Sequence, residues 1–193
     1  MGQIESLFCP RCSRAYEPTG TRESCEGCGA VLEVAVNLDG LGPAERDALL
    51  ASPERGLFRW WPFLPLSDRA CVVSLGEGDT PLLHAGRLGE RLGLQRLYLK
   101  NDTVLPTGSL KDRSNAIGVS RAVELGVPLV AVVSTGNAAA SVAAYAAAAG
   151  LRAVIMLPRE TAPGKVAQAA AHGADIVAVN ADYDLTARLF AAA

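Results

Sequence analysis

The sequence predicts an α/β fold: an open, mostly parallel sheet with helices on both faces, preceded by a small cysteine-bearing ribbon. Three observations predict it. Half of the 193 residues are hydrophobic and a fifth are charged, so the chain is long and apolar enough to bury a sizeable core. Four of its five cysteines stand in two CxxC pairs near the beginning. From about residue 75 onward, β-branched runs alternate with alanine-rich runs at the spacing of strands joined by crossover helices.

The elements follow in order. Residues 1–36 hold the paired cysteines among Gly, Pro, Ser and Thr with few large apolar groups, and cannot build an oily core of their own. Residues 37–74 form a connecting arm, with a short helix over 43–51 and then the aromatic segment LFRWWPFLP. Residues 75–193 are the α/β unit. QRLYLK (95–100) reads as a strand, and DRSNAIGVSRAVELG as a helix ending at Gly126. LVAVVS reads as a strand and NAAASVAAYAAAAG as a helix stopped by Gly150. RAVIML is the next strand, PGKVAQAAAHG a helix opened by Pro163 and closed by Gly173, DIVAV a strand, and DLTARLFAAA the start of a helix.

The formal net charge of −2, with no basic run, excludes the electrostatic footprint of a nucleic-acid or anionic-membrane binder and points to small-molecule partners. The longest uncharged run, 125–151, is broken by Pro128 and by Ser134-Thr135-Gly136-Asn137, so it reads as strand, turn and helix rather than as a membrane span. MGQIES formally fits a myristoylation pattern at Gly2, which is set aside because a folded cysteine unit begins at Cys9. No apolar segment of a signal peptide follows Met1, and a cytoplasmic location is expected.

Cys9-Pro-Arg-Cys12 and Cys25-Glu-Gly-Cys28 put two thiolates on each of two tight turns. Two such turns facing one another supply the four sulfur ligands of a closed structural Zn²⁺ site, which makes the segment zinc-ribbon-like. A disulfide or redox pair is the alternative, and it needs an oxidising compartment for which there is no signal. Cys71 reads as a core thiol. A ribbon that binds nucleic acid would want exposed basic residues, yet Arg11, Arg14 and Arg22 are outnumbered by surrounding glutamates.

In LPTGSLKDR, Lys111 opens a helix directly behind a Pro-Thr-Gly-Ser turn. The positive end of a helix disfavours an ammonium, whereas a neutral amine there is what attacks an aldehyde. The bland alternative is a solvated lysine in a first turn. Ser134-Thr135-Gly136-Asn137 ends a strand and opens the next helix, the place where open α/β sheets bind ligands; Gly136 permits close approach and Asn137 offers an amide. The bland alternative here is a plain helix cap.

Together PTGSLKDR, STGNAAASVAAYAAAAG and the upstream GEGDTPL resemble the pyridoxal-phosphate enzymes of the tryptophan-synthase-β type (fold type II), and among them the threonine synthases, many of which carry a similar cysteine segment. The resemblance covers the chain from Cys9 to its end. It implies that Lys111 holds pyridoxal 5'-phosphate covalently and later moves protons as a base, that Asn137 bonds the cofactor's ring oxygen, and that Ser134, Thr135 and Gly136 help to bind the cofactor. The N–H groups around Thr107, Gly108 and Ser109 are expected to receive a leaving phosphate. The implied substrate is O-phosphohomoserine, the implied product threonine, and a homo-oligomer is allowed at full length. The sequence departs from the family's usual pattern at Leu110, Ser114 and Asp79, none of which removes a reacting group. The family's phosphate-cradling glycine loop and its partner to the pyridine nitrogen are expected beyond residue 193, which makes the chain an N-terminal, truncated fragment expected to be inactive alone.

Overall fold

The computed structural model describes residues 4–39 and 41–192, so Gly2, the acceptor of the myristoylation pattern, lies outside the described residues. The first unit is a three-stranded antiparallel ribbon of β1 (Ile4–Phe8), β2 (Ala15–Tyr16) and β3 (Glu33–Val36), in the order β2-β1-β3. One turn is built twice beside it. Ser13 N–H donates to Cys9 O and Gly29 N–H to Cys25 O, both at 2.8 Å, while Cys9 N–H and Cys25 N–H are paired with Arg14 O and Ala30 O. Each turn closes on a left-handed residue, Gly29 at φ 67° and Ser13 at φ 58°.

The arm begins with α1 (Pro43–Ala51) and continues as a 3-10 helix over Leu57–Phe63. Phe58 and Trp61 from this segment, with Leu64, Leu66 and Val73, form a buried cluster with Ala116, Val119 and Tyr145 of the α/β unit. The arm is pinned by backbone as well: Leu57 N–H donates to Glu77 O (2.9 Å), and Gly56 N–H to Asp79 Oδ2 (2.8 Å). Gly78 makes that approach possible. Its φ is 113°, and a Cβ there would lie 2.5 Å from Leu57 N.

The strand expected at 95–100 is shorter and does not join the parallel sheet. β5 (Tyr98–Lys100) pairs antiparallel with β4 (Leu82–His84) in a sheet of its own, with α2 (Gly86–Leu92) between them. The link between the two strands folds straight back, as Ala85 N–H donating to Leu97 O records, and so makes no crossover of the kind a parallel pair needs.

The parallel sheet consists of β6 (Leu129–Val133), β7 (Arg152–Pro158) and β8 (Asp175–Val179), in chain order. Val132, Ile155 and Ile176 are neighbours in register and pack on one face with Ala139, Val142 and Ala143 of α4 (Asn137–Ala149) and Ala169 of α5 (Pro163–Ala171). α6 (Tyr183–Ala191) returns against β6 and β7. α3 (Lys111–Glu124) packs on the outside of α4, which explains the composition of α4: a helix buried from Ala139 to Ala146 on all sides has to be made of small apolar residues.

Candidate functional site

The four cysteines of the ribbon converge. Their Sγ atoms all lie within 4.8 Å of one another, with Cys9–Cys28 at 3.4 Å and Cys12–Cys25 at 3.5 Å. A tetrahedral zinc with Zn–S bonds of about 2.3 Å sets its sulfurs roughly 3.8 Å apart, so the cluster fits the ion. Its electrostatics agree. Tyr16 O–H donates to Cys25 Sγ at 3.1 Å and pulls that thiol down to about 6, toward the ligating thiolate. At Cys12 the Arg14 N–H favours the anion, but the neighbouring sulfurs of Cys9 and Cys25 outweigh it and push the thiol up to about 11. Four sulfurs this close all ionise only around a cation.

Lys111 is the first residue of α3, exposed, and among the described residues its amine has no hydrogen-bond or ion-pair partner. Lys100 differs, because its Nζ is bonded to Thr80 O. The side chain of Lys165 lies outside the described residues. Asn137 is the first residue of α4, exposed, with its amide equally free. The two helix starts are held together one turn below: Ser141 Oγ of α4 donates to Asp112 Oδ1 of α3 at 2.6 Å. A free primary amine and a free amide at adjoining helix starts suit an aldehyde-bearing cofactor with a ring oxygen, and Asn115 Nδ2, buried and without a partner among the described residues one turn after Lys111, leaves an unused donor.

The other expected site residues divide by what already occupies them. Ser134 Oγ accepts from Gly136 N–H and Ala139 N–H, both at 3.2 Å, so its hydroxyl caps α4. Thr135 and Gly136 sit half-buried between it and Asn137. In the preceding turn Thr107 N–H donates to Asp112 Oδ2 (2.7 Å) and Gly108 N–H to Leu105 O (2.8 Å), which turns both donors inward. Ser109 keeps its N–H free among the described residues, while its hydroxyl accepts from Lys111 N–H.

Residues that the sequence reading passed over tie the three motifs together. Glu77 of GEGDTPL is buried and accepts from Ser74 Oγ, Leu75 N–H and Tyr145 O–H, the last at 2.7 Å. Burial and the Glu77 carboxylate raise Tyr145 far above the ordinary tyrosine range, so it stays a donor. Thr80 donates to Asp102, and Arg113 of KDR bridges both. One signal was available: Ser141 and Tyr145 are polar and four residues apart on a helix otherwise made of small apolar side chains, a spacing that places them on one face.

The family described as "Pyridoxal-phosphate dependent enzyme" matches residues 73–193. Among curated relatives, the threonine synthase of Methanocaldococcus jannaschii is 40% identical over 177 residues, covering 91% of this chain and 44% of the relative. That of Methanosarcina acetivorans is 35% identical, covering 92% of this chain and 43% of the relative. The chain therefore spans less than half the length of these relatives. Among solved structures, the processed threonine deaminase isoform 2 from Solanum lycopersicum superposes with a TM-score of 0.51 at 28% identity, over 55% of this chain and 30% of that one. The holo diaminopropionate ammonia lyase from Escherichia coli gives 0.57 at 21% identity, over 62% and 36%, and bears on the fold alone. With the family matched from the end of the arm through α6, and a free lysine standing at the start of α3, the chain belongs to the pyridoxal-phosphate dependent enzymes of fold type II.

Proposed function

We propose that this chain supplies the cofactor lysine of a threonine synthase, which converts O-phospho-L-homoserine and water to L-threonine and phosphate. The observation that carries the reading is the alignment with a threonine synthase over 177 of 193 residues, which is longer than the stretch 73–193 that the family matches and so reaches into the residues before it. Pyridoxal 5'-phosphate, when bound, supplies an electron sink for negative charge on substrate carbon. Lys111 would hold the cofactor through its amine and, with that amine free, would serve as the base that moves protons at the α and β carbons. Asn137 bonds the cofactor's ring oxygen, and Thr135 and Gly136 form the turn that presents it, with the Gly136 N–H held by Ser134 Oγ. Phosphate leaves the γ carbon, which takes up a proton in place of the one removed from the β carbon and becomes the methyl group, and water adds at the β carbon. Ser109 N–H is the donor best placed to meet the leaving phosphate, while Thr107 and Gly108 shape the turn that presents it.

On this reading Cys9, Cys12, Cys25 and Cys28 hold a structural Zn²⁺, residues 1–36 are the ribbon, 37–74 the arm that docks it, and 75–193 the N-terminal part of the catalytic unit. The partner is a small molecule; nucleic acid and membrane are not partners, the location is cytoplasmic, and the full-length protein allows a homo-oligomer. The low net charge supports a small-molecule partner; no helix among the described residues is long and apolar enough to cross a membrane. A dehydratase or a β-replacement enzyme shares the fold, and a deaminase stands among the superposed structures. The deciding experiment gives the full-length polypeptide O-phosphohomoserine, threonine and serine in turn. Phosphate release from the first with little ammonia from the others is expected; the reverse pattern assigns a dehydratase.

A further inference from the structure

A buried carboxylate needs donors, and Asp112 draws its donors from three groups on two segments. It is fully buried, without an arginine or lysine partner among the described residues. Its Oδ2 accepts from Thr107 N–H (2.7 Å), and its Oδ1 accepts from the hydroxyls of Thr107 (2.5 Å) and Ser141 (2.6 Å). Short charge-assisted bonds of this kind, with the positive end of α3 on whose first turn it sits, offset the cost of removing the charge from water. One set of bonds fixes the turn that precedes Lys111. The other ties α3 to α4, on which Asn137 stands four residues before Ser141.

We propose that Asp112 is the positioning residue of this site: through Thr107 and Ser141, its carboxylate sets where the Lys111 amine stands relative to the Asn137 amide. It touches neither cofactor nor substrate. The inference rests on the reading of Lys111 as the cofactor lysine. An asparagine has the same shape but offers one acceptor oxygen to three donors, and its own NH₂ meets a donor. Asp112→Asn therefore loosens the turn, whereas Ser141→Ala leaves both Thr107 bonds intact and frees only the contact between the helices.

The test compares the full-length polypeptide with its Asp112→Asn and Ser141→Ala variants by three measurements: amide hydrogen exchange at Thr107, titration with pyridoxal phosphate followed by the absorbance of lysine-bound cofactor, and the unfolding midpoint. Asp112→Asn is expected to lose protection at Thr107 and to bind cofactor more weakly, each by about tenfold or more, the worth of one hydrogen bond to a charged group. Ser141→Ala is expected to weaken cofactor binding while Thr107 protection is kept. Unchanged protection or unchanged affinity in Asp112→Asn overturns the proposal, as does a loss of stability with no loss of affinity. Should Asp112→Asn fail to fold, unchanged affinity in Ser141→Ala overturns it. Absence of lysine-bound absorbance in the unsubstituted polypeptide refutes the reading of Lys111, whereas normal absorbance there with unaltered variants refutes only the role of Asp112.

Discussion

Tyr145 sits fully buried in α4 with its hydroxyl on the buried carboxylate of Glu77. Tyr145→Phe keeps the ring and removes one donor to a charge, so it is expected to lower the unfolding free energy by about 1–3 kcal/mol in a urea titration. Asp102 is a second case, read by pH. The Arg113 hydrogen bond first, and then Thr80, hold its carboxyl below the usual carboxylate range. A depressed pKa contributes stability above the unfolded value of about 3.9, lost as pH falls through the folded value. Urea midpoints should therefore drop more steeply below pH 4 for the unsubstituted chain than for Asp102→Asn; equal slopes would remove the ion pair from the explanation. That Lys111 and Asn137 each open a helix was legible in the sequence, because a recognisable turn precedes each. Glu77 and Asp112 were not, because a carboxylate declares itself buried only through its partners, and Tyr145 is 68 residues from Glu77.

At the level of elements, the ribbon and the arm test different physics. Residues 4–36 have little apolar interior, so the sulfur cluster rather than a core fixes them. Stripping metal with a chelator is expected to release about one zinc per chain and to abolish amide protection in the ribbon while β6, β7 and β8 stay protected. Retained protection would make the ribbon independent of metal. Gly78 belongs to the arm. Any Cβ there meets the backbone of Gly56 and Leu57, and the φ is one that L side chains rarely adopt. Gly78→Ala is expected to cost about 3 kcal/mol or more by chemical unfolding and to expose Trp61, readable as a red shift in its fluorescence. Helices α3, α4 and α5 and the strands between them were predictable because their apolar periods are long. β4 and α2 were missed because a three-residue strand and a seven-residue helix carry no period to read, and the ribbon strands are hidden by pairing that only the two cysteine turns set.

For the whole molecule, the three sequence motifs turn out to be one hydrogen-bonded unit. GEGDTPL reaches α4 through Glu77 and Tyr145 and reaches α3 through Thr80, Asp102 and Arg113, while the turn before Lys111 reaches α4 through Asp112 and Ser141. A lysine mounted on such a frame has its position set from several elements at once, which is what covalent capture of a cofactor requires, since a displacement of about 1 Å can cost on the order of a hundredfold in rate. Leu82, Leu83, Tyr98 and Leu99 of the β4–β5 pair are exposed, and the chain spans less than half the length of its threonine synthase relatives, so the proposed activity is to be tested on a polypeptide of that length. The most direct measurement is borohydride reduction of that full-length protein after loading with pyridoxal phosphate, followed by peptide mapping. The pyridoxyl group is expected on Lys111; a label on Lys100 or Lys165 instead would contradict the assignment of the site.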